Sequence, residues 1–188
     1  MDLVTLSDEI QRHYEAMALR FSEAQRTSGL ACPPGCGQCC SVPTVEASVF
    51  EMLPMALALY HQGRAPQVLE HILETRPSSC VMYRPSSSDK SQGQCSMYRE
   101  RPSVCRMFAV AALPGKHPGE RSLSICHVLK AQHPHWPKID PHTLPLINEA
   151  YAQLSHLHPE LTKDRGPISV TLGKALEKVL FYQALKNA

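Results

Sequence analysis

Long apolar runs are missing from this chain. The longest apolar stretch, Met52 to Tyr60, is far too short to span a bilayer, so no membrane partner is expected. The opening, Met1-Asp2-Leu3-Val4-Thr5-Leu6-Ser7-Asp8-Glu9, has neither the basic start nor the apolar centre of a secretory signal. An excess of one charge is missing too. Lys and Arg total 19 against 17 Asp and Glu, a formal charge of +2, and the basic residues are scattered. That leaves no electrostatic footprint for nucleic acid. There is no GxGxxG after a strand, no phosphate loop, no HExxH and no GxSxG, which argues against a conventional dinucleotide fold, ATPase, zinc protease or serine hydrolase. No segment repeats at a fixed period, which argues against a solenoid.

Cysteine is what the chain has in excess, with 8 in 188 residues. Four fall within Cys32-Pro33-Pro34-Gly35-Cys36-Gly37-Gln38-Cys39-Cys40, and the others are Cys80, Cys95, Cys105 and Cys126. In an oxidising compartment such a set suggests disulfide staples; in a reduced one it suggests ligation. Without an export signal, the expectation is a cytoplasmic protein whose eight thiols are metal ligands.

The fold class expected is mainly α: a single small helical domain over residues 1–188, wrapped around a Cys-rich metal-binding loop region at about 32–126. Leu3, Leu6, Ile10, Met17 and Phe21 recur at helical spacing, and Gly29 is a stop. Thr44 reads as the N-cap, and Glu46 as a first-turn residue, of a helix running to about Gln62 and kinked at Pro54. Pro66 opens a short helix, and Ser78–Gln94 reads as a polar loop. Pro102 opens another helix reaching about Leu113. Cys126 is placed within a short helix among Leu123, Ile125, Val128 and Leu129. Two helices close the chain, one capped by Asp140 and one from about Thr171. Period-two alternation is confined to a few residues around Ile168–Leu172.

Cys36-Gly37-Gln38-Cys39 has the two-residue spacing that lets both sulfurs reach one soft metal at ~2.3 Å. Cys32 is three residues from Cys36, across the turn Pro33-Pro34-Gly35. Neighbouring side chains diverge, so Cys39 and Cys40 serve two metals, or one metal and one packing role, more easily than a single ion. The eight thiols suit two four-thiolate sites or one cluster with reserve ligands. Neither the second CxxC turn of a zinc ribbon nor the ferredoxin run is present. In the second constellation, Gly93 to Arg106, Cys105 falls in the first turn of a helix, where backbone N–H groups favour a thiolate. Arg101 and Arg106 there offset thiolate charge or grip an anionic ligand. His127, His133 and His135 are lesser candidates as nitrogen ligands.

Cys36-Gly37-Gln38-Cys39-Cys40, Cys80, and Gly93-Gln94-Cys95-Ser96-Met97-Tyr98 running into Arg101-Pro102 and Cys105-Arg106 resemble a known family. It is the YkgJ-like family of cysteine-cluster proteins, named for a CxxCxxCC motif and held to chelate zinc or iron. Thr44 and Glu46 match the start of the helix that follows the first cluster in such proteins, and Cys126 matches a further cysteine. Cys32 departs from the motif by one residue. The resemblance implies zinc or iron, the latter as single ions or as a [4Fe-4S] cluster. Because the family includes relatives of flagellin lysine methylases, it also implies an alternative: an iron–sulfur enzyme using S-adenosylmethionine. Arg101, Arg106 and Tyr98 would then line the cofactor's cleft. A metal-free thiol redox switch through Cys39 and Cys40 is the third reading. Whether the protein is an enzyme stays open on sequence.

Overall fold

A computed structural model describes residues 2–42 and 44–187, and Met1, Pro43 and Ala188 lie outside the described residues. Helix α1, Leu3–Ser28, starts where the Asp2 carboxylate accepts from the backbone N–H of Val4 and Thr5, and stops where Gly29 turns left-handed at φ 70. Its stripe of Leu3, Leu6, Ile10, Tyr14, Met17 and Phe21 is buried. It packs on α2, Leu53–His61, which carries the expected apolar segment and lies also against α7, Ile168–Lys186. Helix α3, Ala65–Thr75, closes on α7 at Gly173, where a Cβ would sit 3.3 Å from Ile72 Cγ2. These elements enclose the larger core, and a smaller one gathers Leu30, Val110, Ile125, Leu129 and Leu144.

The fold is mainly α, with short antiparallel strand pairs inserted where sequence patterning indicated loops or helices. Glu46–Ser48 is a strand, β1, not the first turn of a helix. A 3-10 turn at Phe50–Met52 follows, and Pro54 lies in the first turn of α2, where its missing N–H costs nothing, instead of kinking a longer helix. The polar segment after Ser78 contains a hairpin, β2 Tyr83–Pro85 with β3 Gly93–Cys95, pairing Tyr83 with Cys95. Pro102 does precede a helix, but α4 spans only Ser103–Met107, and Val110–Pro114 is strand β4, paired with β5 Arg121–Ile125. Cys126 is therefore not within a helix. It precedes α5, His127–Gln132, as its N-cap residue. Asp140 caps a separate 3-10 turn, Pro141–Thr143, ahead of α6 at Ile147–Leu157. Strand β6, Arg165–Pro167, pairs with β1, and Ile168–Leu172, the one stretch suggestive of a strand, opens α7.

One ion pair secures the β1–β6 junction. Glu51 is fully buried, and its Oε2 accepts from Ser48 N at 2.8 Å and from Arg165 Nη1 at 2.8 Å. Arg165 Nη2 also donates to Glu46 O and to Tyr151 Oη, while Tyr14 Oη donates to Glu51 O at 2.9 Å. A network of this kind contributes little net energy when whole, but removing one partner strands a buried charge. The Arg165→Met variant should lose about 3 kcal/mol in urea unfolding, the low end for a broken buried pair because Arg165 is 29% exposed. Adding Glu51→Gln, which removes the stranded charge, should recover much of that loss.

Candidate metal centre

The cysteine turn is held mainly by backbone, with the Ser41 hydroxyl donating to Gly37 O at 3.2 Å and to Lys90 O at 3.0 Å. Gly35 turns left-handed at φ 73, and Cys36 N donates back to Pro33 O at 3.1 Å. Gln38–Ser41 winds into a 3-10 turn that carries Cys39 and Cys40. The turn is then sewn to the β2–β3 hairpin: Gly93 N donates to Gly35 O at 2.8 Å, Gly37 N to Ser91 O at 2.9 Å, and Cys80 N to Cys40 O at 2.9 Å. Between turn and hairpin lies the Tyr83 ring, with its hydroxyl donating to Lys90 O at 2.9 Å. A Cβ on Gly37 would fall 1.7 Å from Tyr83 Oη, and one on Gly93 would fall 2.4 Å from Arg84 O. Both positions therefore require glycine for close approach. On the far side, Ser169 Oγ donates to Ser79 O and accepts from Val81 N, both at 3.1 Å, which fastens the Cys80 segment to α7.

These connections bring seven of the eight cysteines to one cavity of about 330 Å³: Cys32, Cys36, Cys39, Cys40, Cys80, Cys95 and Cys105. The eighth, Cys126, does not line it. Its side chain packs against the smaller core, and its N–H donates to Ala109 O at 2.9 Å. It still lies near enough to Cys32 to influence that thiol. All eight thiols are free of disulfides. Among the described residues, no three His, Cys, Asp or Glu side chains already converge on one ion position. The sulfurs line the chamber without meeting at its centre.

The thiols burden one another. Burial pushes the Cys32 thiol up to about 11, helped by Cys36 and Cys39, and pushes Cys80 up to about 11. Cys39 is raised by its contact with the Cys40 thiol and then by burial. Burial raises Cys105 well above the ordinary thiol range, with Cys80 and Cys39 adding to it. Arg101 acts in the opposite sense on Cys39, Cys95 and Cys105, so its guanidinium faces this group. Several thiolates cannot share a low-dielectric chamber unless a cation joins them. An all-sulfur, half-buried donor set with one arginine beside it fits a soft metal such as zinc or iron.

The other residues that sequence singled out have mixed placements. Tyr98, Arg101 and Arg106 all line the cavity. Arg101 Nε donates to Tyr98 O at 3.0 Å, and its guanidinium lies 3.4 Å from the centre of the Tyr98 ring, which is itself exposed. Arg106 is committed to backbone: Nε donates to Arg101 O at 2.8 Å and Nη2 to Arg99 O. It shapes the 98–101 segment as much as it faces the chamber. His133 and His135 meet edge-to-face with ring centres 5.8 Å apart, and neither they nor His127 line the cavity. Sequence reasoning missed the apolar wall of Val45, Met55, Phe108 and Ile168. Nothing in their local pattern distinguishes them from ordinary core residues.

The family model described as "CxxCxxCC: Putative zinc- or iron-chelating domain" matches residues 31–132, over half of the chain. The chain belongs to the CxxCxxCC family. That span begins just before Cys32 and takes in every cysteine through Cys126. Among curated proteins nothing matches, and among solved structures nothing matches.

The hairpin clamp yields a test. Gly93→Ala should displace the β2–β3 backbone, because the clash is with a carbonyl oxygen that cannot rotate away. It should lower metal per chain in the purified protein, while the Gly63→Ala variant, at an open turn remote from the thiols, should not. Elemental analysis of both variants decides it.

Proposed function

We propose that the protein chelates zinc or iron in a reducing compartment such as the cytoplasm, with the thiolates of its cysteine chamber as ligands. The observation that carries this reading is the convergence of seven cysteines, from four separate stretches of chain, on one cavity. Free cysteines that merely pack as small hydrophobes have no reason to collect there. The ligand set proposed is Cys36, Cys39, Cys40, Cys80, Cys95 and Cys105, with Cys32 at the margin. Cys126 acts as a neighbour, since it packs outside the chamber. Bound metal would cancel the thiolates' mutual repulsion and tie the turn, hairpin and α4 together. Side-chain rotation within a chamber of this size is enough to bring sulfurs onto an ion, because their backbones are already fixed.

A second reading is favoured by the space itself. At about 330 Å³ and with an apolar wall, the cavity is within the range of small-molecule sites. An organic co-substrate beside the metal is therefore admissible, and S-adenosylmethionine is the one that the family resemblance implies. Tyr98, Arg101 and Arg106 would orient it. An iron–sulfur centre supplies electron transfer or an open iron position when bound; the chain's own part is to hold the ligand against it and exclude water.

Anaerobic purification followed by measurement of iron, acid-labile sulfide and zinc per chain tests the proposal. Metal should co-purify, and Cys105→Ser and Cys39→Ser should each lower it, whereas Cys126→Ser should leave it nearly unchanged. Iron with matching sulfide would favour the cluster form, and calorimetry with S-adenosylmethionine would then test the second reading. No metal, with eight thiols freely titrated in the native protein, would contradict chelation and favour a thiol switch.

A further inference from the structure

Cys32 stands apart from the other thiols of the chamber. Its residue is exposed, while the remaining seven are half-buried. It nonetheless lines the same chamber as Cys36 and Cys39. The short arm that carries it is held only at its ends. Leu30 is fully buried in the smaller core, and Gly35 O is fixed by Gly93 N at 2.8 Å. Between these anchors, the described backbone makes a single hydrogen bond, the local Cys36 N to Pro33 O turn. Gly29 and Gly35, both left-handed, flank the arm. Segments with so few backbone bonds belong to the low-stability end of a fold. The family's spacing adds a separate observation. CxxCxxCC aligned on Cys36, Cys39 and Cys40 puts its first cysteine at position 33, which here is Pro33, with Cys32 one residue earlier.

Resting on the chelating reading above, we propose that Cys32 is a transit ligand: it takes a divalent metal from a thiol carrier at the cavity mouth and hands it to the buried sulfurs. In the first step, the Cys32 thiol gives its proton to water and its sulfur bonds the metal. The carrier's thiolate departs and takes up a proton from solvent. In the second step, the thiol of Cys36 or Cys39 passes its proton to the Cys32 sulfur and bonds the metal as the metal–Cys32 bond breaks, so Cys32 returns to the free thiol. The metal keeps its charge throughout, and no electron moves. Soft thiolates suit this role because one can replace another on the same ion without a change of donor type. Exposure supplies access, the loosely bonded arm supplies reach, and Cys36 and Cys39 on the same chamber supply the next station. The resident site then lies deeper, where Arg101 and the fixed backbone hold it.

The test follows Co²⁺ delivered from glutathione to the reduced, metal-free protein under argon, by stopped-flow absorbance of the sulfur-to-cobalt band. The Cys32→Ser variant should reach the same final band intensity and the same metal per chain as the unaltered protein. Its uptake should be slower by about ten-fold or more. The Cys105→Ser variant should instead lose final band intensity. An unchanged uptake rate in Cys32→Ser would overturn the proposal. So would a loss of final intensity like that of Cys105→Ser, which would make Cys32 a resident ligand. Should the unaltered protein take up neither Co²⁺, Zn²⁺ nor Fe²⁺, chelation itself fails and the transit role falls with it. Normal loading with an unaltered Cys32→Ser rate overturns the transit role alone. An unchanged final band also shows that the variant is folded.

Discussion

The docking of the Gly35–Ser41 turn onto the β2–β3 hairpin is the constraint on which the cysteine chamber depends. Two backbone hydrogen bonds, at Gly35–Gly93 and Gly37–Ser91, and a third from Cys80 to Cys40 join stretches forty or more residues apart. The Tyr83 ring fills the seam, and only glycine at positions 37 and 93 leaves room for it. Because each bond is main chain to main chain, the positions of Cys36, Cys39, Cys40, Cys80 and Cys95 are set before any side chain chooses a rotamer. Cys105 joins them through α4, whose neighbours in the fold include α1 and α6.

Electrostatics then gives the arrangement its chemical direction. Burial favours the protonated form of Cys32, Cys39, Cys80, Cys95 and Cys105, neighbouring thiols add to this at all of them but Cys95, and Arg101 opposes it at Cys39, Cys95 and Cys105. A bound zinc or iron ion would supply the missing positive charge, as an all-sulfur donor set favours. Membership of a family described by zinc or iron chelation agrees with this chemistry, and among the described residues no helix is long and apolar enough to cross a membrane.

Much of this was legible in the sequence, and the remainder failed for identifiable reasons. Helix α1 was readable because an amphipathic stripe and a glycine stop operate locally. The thiols were readable because CxxC spacing is itself a local signal. The three-residue strands were not, because β1 is paired by Arg165–Pro167 more than a hundred residues away, and no local periodicity records a distant partner. Pro54 and Pro102 were recognised as helix signals, but Pro54 opens a helix instead of kinking one, and the helix after Pro102 ends at Met107. Cys126 was grouped with the other thiols although its neighbours Leu123, Ile125, Val128 and Leu129 are apolar; in the fold it packs against the smaller core. The apolar wall was invisible because its local pattern is that of ordinary core residues.

The most direct test of the central claim is X-ray absorption at the metal edge of the protein as purified. Thiolate chelation predicts a first shell dominated by sulfur, at ~2.3 Å for zinc. A shell built mainly of nitrogen or oxygen donors at shorter distance would contradict it, whatever the metal content.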